Sequence, residues 1–507
     1  MARNAEVELR GITKRFGGVA ANAGVNLRIL PGTIHGLVGE NGAGKSTAMK
    51  VLYGIYRPEE GEIWVGGERH HWASPSDAIA CGIGMVHQHF MLAGPCSALD
   101  NVLLGAEGTR WGWIDRKRAR ARLETLAGLY GLPVDWERPV ETLAVGQQQR
   151  IEILKLLYRE ARILILDEPT AVLTPQETSL LFGNLKRLRD EGKTILLVTH
   201  KLKEVMAFTD SVTVFRAGRV MGQVETRRTS PEELAMLMVG RKVVLSLEVA
   251  AAQPAREIAL EVSELGLAGP GQSRRRLSDV SFAVRRGEIV GIAGVEGNGQ
   301  AELLQAILNL RDGLCRSSGT VRCLGQDVTG WKAGRIRDLG VGVIPGDRVC
   351  EGLLPERPVT ENFLLGLQRT PGFRRCGFLS PARLERAAAR AMEEYDVRPR
   401  DLGIAAANLS GGNQQKLIVA REFDRQPRLL IAAQPTRGVD VGAVESIHRR
   451  IVRARDEGAG VLLISSELDE ILELSDRILV MYEGRLVAEF RRGAATEREL
   501  GLRMGGA

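Results

Sequence analysis

The chain has 507 residues, 44% of them apolar and 26% charged, with a formal net charge of +7. It is too long for one hydrophobic core, so two or more domains are expected, and its composition is ordinary for a soluble globular protein. No apolar run approaches the roughly 18 residues of a membrane span, and the start MARNAEVELRGITKRF has no apolar export signal, so the chain is expected to stay in the cytoplasm.

In chain order, strand-like segments VELRGI and GVNLRIL come first, with Phe16 between them in TKRF. Phe16 is a candidate to stack on an adenine ring, the alternative being a core aromatic. A strand HGLV then feeds the loop GENGAGKST at 39–47, made of Gly39, Glu40, Asn41, Gly42, Ala43, Gly44, Lys45, Ser46 and Thr47. Its G-x-x-x-x-G-K-S spacing, between a strand and a helix, is that of a phosphate-binding P-loop. Glycines let successive N–H groups curl towards phosphate oxygens, and the helix that follows aims its positive end at the same anion. Lys45 adds a charge for the β- and γ-phosphates, and Ser46 is a ligand for Mg²⁺. Gln88, in MVHQHF, can reach metal and water. A mostly helical stretch occupies roughly 95–160. The buried strand ILIL ends at Asp167 and Glu168, the first suited to hold Mg²⁺ through water, the second to act as general base. A helical pattern covers 175–191, and the strand ILLVT ends at His200, a candidate sensor of the γ-phosphate. Near-continuous apolar strands alternating with helices predict a parallel sheet covered on both faces. Ser230-Pro231-Glu232-Glu233 is a helix start.

The rest of the chain repeats this plan. ILILDEPTAVLTP at 163–175 matches LLIAAQPTRGVDV at 429–441, and TILLVTHKLKEV at 194–205 matches GVLLISSELDEI at 460–471, both at an offset of 266. The glycine loop matches GVEGNGQAE at 294–302 at an offset of 255, so insertions lie in between. Residues 1–241 and 258–507 are therefore expected to be tandem domains joined by a short linker at 242–257. The second copy is damaged. Gln300 replaces Lys45, Ala301 replaces Ser46, Ala433-Gln434 replaces Asp167-Glu168, and Ser466 replaces His200.

Six cysteines, at 81, 96, 315, 323, 350 and 376, form no C-x-x-C pair. Inert thiols in a reducing compartment are expected, without structural zinc or a disulfide framework. His70, His71, His87 and His89 have no metal-like partners. Basic runs at 116–122 and 274–276 have no interleaved aromatics, so solvated surfaces are expected and no nucleic-acid partner.

The P-loop, Gln88, Asp167-Glu168, His200 and, above all, LSGGNQQK at 409–416 resemble the ABC-type ATPases over nearly the whole chain. The resemblance implies an α/β fold of two tandem P-loop NTPase domains, each a mixed, mainly parallel sheet core with a helical subdomain. It also implies that two nucleotide domains face head to tail, each ATP lying between the P-loop of one and the signature of the other. Ser410 offers a hydroxyl, and Gly411 and Gly412 offer N–H groups at a helix N-terminus. The first half's own signature, LAVGQ at 143–147, has Ala144 for Ser and Val145 for Gly. One site is thus expected complete, the other degenerate on both faces. The tandem ATPases of bacterial importers for simple sugars and nucleosides are most similar, the nucleoside branch above all. That similarity implies ATP and Mg²⁺ as cofactors and integral-membrane permease subunits as partners. It further implies indirect service to an extracytoplasmic solute-binding protein, and a peripheral place on the cytoplasmic face of the membrane. The alternatives are a soluble tandem ABC protein acting on ribosomes and a nucleotide-gated scaffold that does not hydrolyse.

Overall fold

A computed structural model describes residues 5–88, 90–107, 109–110, 113–170, 173–241, 247, 249–268, 275–295, 297–310, 316–375, 378–439 and 441–506. His89, Arg274, Cys315, Cys376 and part of the expected linker lie outside the described residues. The chain divides into two compact units, 1–243 and 244–507.

In the first unit, strands Val19–Ile29, Val7–Phe16, Glu60–Val65 and Glu68–His70 form an antiparallel sheet in that order. A second sheet runs Arg219–Glu225, Ser211–Arg216, Ile34–Gly39, Thr194–Val198, Ile163–Asp167, Ile83–Val86. All its pairs are parallel except the first, a hairpin. Its three central strands are buried along their whole length, because helices and the antiparallel sheet cover both faces. Helices Ala98–Leu103, Arg116–Tyr130 and Val145–Tyr158 share one apolar cluster with one face of this sheet. The other face packs on the antiparallel sheet and on helix Lys45–Leu52.

Caps fix where helices begin. Thr174 and Glu177 form a reciprocal capping box on helix Pro175–Asp190, and Ser230 accepts the Glu233 N–H at the start of Pro231–Val239.

The second unit repeats the plan. Its antiparallel sheet runs Arg275–Arg285, Ile258–Ala268, Arg316–Cys323, Gln326–Asp327. Its six-stranded sheet runs Val341–Ile344, Leu429–Ala433, Gly460–Ser465, Ile289–Ala293, Arg477–Tyr482, Arg485–Arg491. The inserted residues are dispersed. The offset between equivalent elements rises from 255 at the central strands Ile34–Gly39 and Ile289–Ala293 to 266 at helices Val145–Tyr158 and Gly411–Asp424. It passes 258 at Ile83–Val86 and Val341–Ile344, and 261 at Ala98–Leu103 and Val359–Leu364. Each insertion therefore falls in a connection and leaves the core strands in register. The chain just before the second unit's first strand is tied to that unit: Arg492 donates to the Val249 carbonyl (2.9 Å) and Arg455 to that of Ala250 (3.1 Å).

Candidate functional site

The first unit gathers six of the expected residues at the carboxyl edge of its parallel sheet. Strand Ile34–Gly39 runs into the glycine loop, and helix Lys45–Leu52 leaves it from Gly44. Gly44 has φ +99°, and a Cβ there would lie 2.4 Å from the Ala21 carbonyl oxygen, so no other residue fits. Lys45 turns back into the loop: its buried ammonium donates to the carbonyls of Gly39 (2.7 Å) and Glu40 (2.9 Å). Burial lowers its pKa, and the carboxylates of Glu168, Asp167 and Glu40 oppose that. The ammonium is thus held ready for an anion, on carbonyls that a phosphate can outcompete.

Asp167 ends its strand within the same cluster. Its Oδ1 accepts from the Ser46 hydroxyl at 3.1 Å. Glu168, next in sequence, has left-handed backbone (φ +50°), a strained geometry for a non-glycine residue. Its N–H is fixed on the Val198 carbonyl at 2.8 Å, and its side chain takes two partners. Gln88 Nε2 donates to one oxygen at 3.0 Å, and His200 Nδ1 lies 3.0 Å from the other. Burial pushes the Asp167 carboxyl up. For Glu168 burial acts the same way, but the hydrogen bond and charge of His200, with Lys45 and Lys201, outweigh it and hold the carboxyl below its usual range. Adjacent carboxyls are driven in opposite directions, the pattern of groups with different tasks.

Phe16 stands at the end of its strand, exposed, edge-on to Tyr56 with ring centroids 5.1 Å apart. The Lys14 ammonium sits 5.4 Å from its centroid.

One supporting residue escapes motif reading. Asn22, fully buried in strand Val19–Ile29, donates from Nδ2 to the Gly44 carbonyl at 3.0 Å. Around it the chain is knotted: Ala23 N–H meets the Gly218 carbonyl, and Gly218 N–H meets that of Ala43. The second unit repeats the knot through Ser278, Gly484 and Asn298, with Leu277 in place of Asn22. The clue in the sequence is slight: an amide in the strand, opposite a leucine in the repeat.

The second copy keeps the backbone path and presents different side chains on it. Gln300 folds back as Lys45 does, its amide donating to the Val295 carbonyl at 3.2 Å. Gln434 has the left-handed backbone of Glu168 (φ +47°), with its N–H on the Ile464 carbonyl. Its side-chain oxygen is taken by the N–H and hydroxyl of Ser466. Two residues past strand Val341–Ile344, where the first unit has Gln88, stands Gly346.

The signature residues cap helix Gly411–Asp424. Ser410 accepts from the Asn413 N–H (3.4 Å) and from its side-chain amide (2.8 Å). The first unit's counterpart begins at Ala144 with no side-chain cap, and Val145 is 39% exposed at its mouth. In both units the signature helix is tied to the strand that carries the acidic pair or its remnant. Gln149 donates to the Pro169 carbonyl, and Gln415 to that of Pro435.

The donors suit a hard cation. Ser46 and Asp167 supply two adjacent oxygens, and Gln88 a neighbouring amide. Among the described residues no three His, Cys, Asp or Glu form a metal nest. A cation here would draw its other ligands from phosphates and water, which is the habit of Mg²⁺.

Fold and glycine loop together define a tandem P-loop α/β protein. A protein-family model described as ABC transporter matches residues 23–171 and 277–437. The nucleoside import ATP-binding protein NupA of Lactococcus lactis is 46% identical over 506 residues, covering 100% of this chain and 99% of that one. The guanosine import ATP-binding protein NupO of Bacillus subtilis is 48% identical over 500 residues, covering 99% and 97%. The glucose import ATP-binding protein TsgD13 of Haloferax volcanii is 45% identical over 538 residues, covering 100% and 96%. The chain belongs to the ABC transporter family, as one of its ATPases. Among the described residues no helix is long and apolar enough to cross a membrane.

Proposed function

We propose that this chain is the ATP-hydrolysing subunit of a bacterial importer for nucleosides or simple sugars, with one complete and one degenerate ATP site. The observation that carries this reading is the segregation of parts. The first unit has Lys45 folded into its loop, Ser46 bonded to Asp167 and His200 beside Glu168, with a spoiled signature. The second has a capped, glycine-bearing signature and no acidic pair. Head-to-tail use of the halves, as the family resemblance implies, puts every sound element into one site. Defects accumulated at random would have spoiled both.

In that site Lys45 and the loop N–H groups hold the phosphates, Ser46 and Asp167 hold Mg²⁺, and Phe16 stacks on the adenine. Bound Mg²⁺ neutralises charge on the phosphate oxygens. Glu168 and Gln88 orient the attacking water, with Glu168 as proton acceptor. His200 restrains Glu168 in the arrangement described above. Transfer of its hydrogen bond to the γ-phosphate frees the carboxylate and raises its basicity. Ser410, Gly411 and Gly412 close the site from the other unit. The second site retains the glycine backbone, which suits holding a nucleotide without turning it over.

Integral-membrane permease subunits are the direct partners, and an extracytoplasmic solute-binding protein an indirect one. The chain works peripherally at the cytoplasmic membrane face. The nucleoside reading rests on the two relatives named for nucleoside and guanosine import, the sugar reading on the one named for glucose import.

Glu168→Gln tests the assignment. Turnover should fall by about 10²–10⁴-fold with ATP still bound, as for loss of a general base. Substantial residual hydrolysis would refute the role of Glu168. Pull-down from membranes should recover permeases; recovery of ribosomes in their place would favour the ribosomal class.

A further inference from the structure

We propose that Arg348 is a positioning residue of the ATPase, bracing the signature turn at 410–412 against the turn at 436–438 within the second unit. The inference rests on the reading that this signature completes the working ATP site.

Arg348 follows strand Val341–Ile344 in a short turn, Arg348–Gly352, that Asp347 caps. The Asp347 carboxylate accepts the N–H groups of Val349 and Cys350, both at 2.9 Å, which fixes where Arg348 leaves the backbone. The guanidinium then touches two other segments. Its Nη1 donates to the Arg437 carbonyl at 2.9 Å, and its Nε to the Gln414 side-chain oxygen at 3.3 Å. Gln414 in turn donates to the Ala406 carbonyl at 3.0 Å, closing the loop that leads into the signature. Nη2 lies against Gly411 so closely that a Cβ there would stand 2.5 Å away, and a Cβ on Gly438 would stand 3.1 Å from Nη1. Glycine at 411 thus leaves room for the guanidinium as well as for a phosphate.

Two features separate this brace from ordinary packing. The first is electrostatic. The guanidinium is half-buried beside the positive end of helix Gly411–Asp424, and burial and the nearby Arg437 both disfavour its charge, which Asp347 only partly offsets. A cation kept in such a place gains when an anion docks on the helix end. The second is the repeat. Counted from the strand end, the first unit has Phe90 where the second has Arg348, and Val145 where the second has Gly411. The arginine accompanies the sound signature, and the spoiled one has neither partner of the contact. A planar fork is needed to reach both segments at once, so lysine is not equivalent.

The test uses the full-length chain. In Arg348→Met, kcat for ATP should fall at least about tenfold, the cost of losing charge-assisted hydrogen bonds that hold a site in register. Affinity for a fluorescent ATP analogue, set mainly by the first unit, should stay within about threefold, and the melting midpoint within a few degrees. Arg348→Lys, which keeps charge without the fork, should recover little of the kcat; full recovery would overturn the bracing role. Ser410→Ala is the control for the underlying reading. If it lowers turnover while Arg348→Met leaves kcat within about twofold, the inference is wrong and the reading stands. If neither variant alters turnover, the signature does not complete the site and both fall.

Discussion

At the scale of single residues, the two units differ by chemistry on nearly identical backbone. Glu168 and Gln434 share a left-handed conformation, and Lys45 and Gln300 both fold onto loop carbonyls. Strain and cradle are properties of the chain path; function depends on which group the path presents. Asn22 shows how far this reaches beyond the motifs. Its buried amide ties down the carbonyl of Gly44, the residue from which helix Lys45–Leu52 springs. Leucine fills the same place in the second unit. Asn22→Leu, which copies the repeat, should therefore weaken ATP binding by up to about tenfold, by removing one of the two hydrogen bonds on the Gly44 carbonyl and leaving only that of the Ala48 N–H. Titration with a fluorescent ATP analogue measures this, and unchanged affinity would show that the loop holds its shape without the amide. Such residues were not legible in the sequence. The glycine loop was, by its spacing, the acidic pair by its place at the end of an apolar strand, and the signature by its resemblance to that of the ABC-type ATPases. Asn22 belongs to no spaced motif and shares its strand with the exposed Asn26 and Arg28, so its partner is revealed only when the fold buries it and brings Gly44 to it.

At the scale of elements, the strand–helix alternation predicted the parallel sheet, since strands covered on both faces must be apolar throughout. It could not predict strand order or the separate antiparallel sheet, which depend on long-range pairing. Nor could it single out His35, the one polar side chain in strand Ile34–Gly39. His35 is wholly buried between strands, with Nδ1 2.7 Å from the Ser211 hydroxyl and Nε2 2.8 Å from that of Thr213. Burial pulls its pKa from 6.5 down to about 4. The unfolded chain takes up a proton at this residue below about pH 6.5, and the folded chain refuses it until about pH 4. Stability of the first unit therefore falls as pH drops through that window, by up to about 3 kcal/mol at its lower end. The second unit has Val290 and Leu479 at the places of His35 and Thr213. A double variant, His35→Val with Thr213→Leu, should keep its melting midpoint at neutral pH and lose less of it on acidification to pH 5 than the parent. An unaltered acid slope would place the sensitivity elsewhere, the carboxyls around Lys45 being the next groups to test.

At the scale of the whole molecule, two copies of one plan have been kept in one chain, and substitutions at the expected site positions occur in both halves. Each unit has lost the parts that the proposed degenerate site would need and kept those that the proposed complete site would need. That pattern makes a prediction about repair. In a Glu168→Gln background, which silences the first site, any turnover must come from the second. Gln300→Lys alone should give none. The new ammonium can take up the Val295 carbonyl that Gln300 now uses, but Ala301 and Ala433 offer no metal oxygens, and Gln434 is engaged by Ser466 and cannot accept a proton. Adding Ala301→Ser, Ala433→Asp, Gln434→Glu and Ser466→His restores one face of that site, Gly346 in the place of Gln88 excepted, on backbone already shaped for it. Under head-to-tail use this five-fold variant should still be silent, because the opposing face is the uncapped turn of Ala144 and Val145. Hydrolysis should emerge only when Ala144→Ser and Val145→Gly are added. Turnover by the five-fold variant without those two changes would mean that each unit works with its own signature or with none, and the proposed sharing of parts between the units would have to be abandoned.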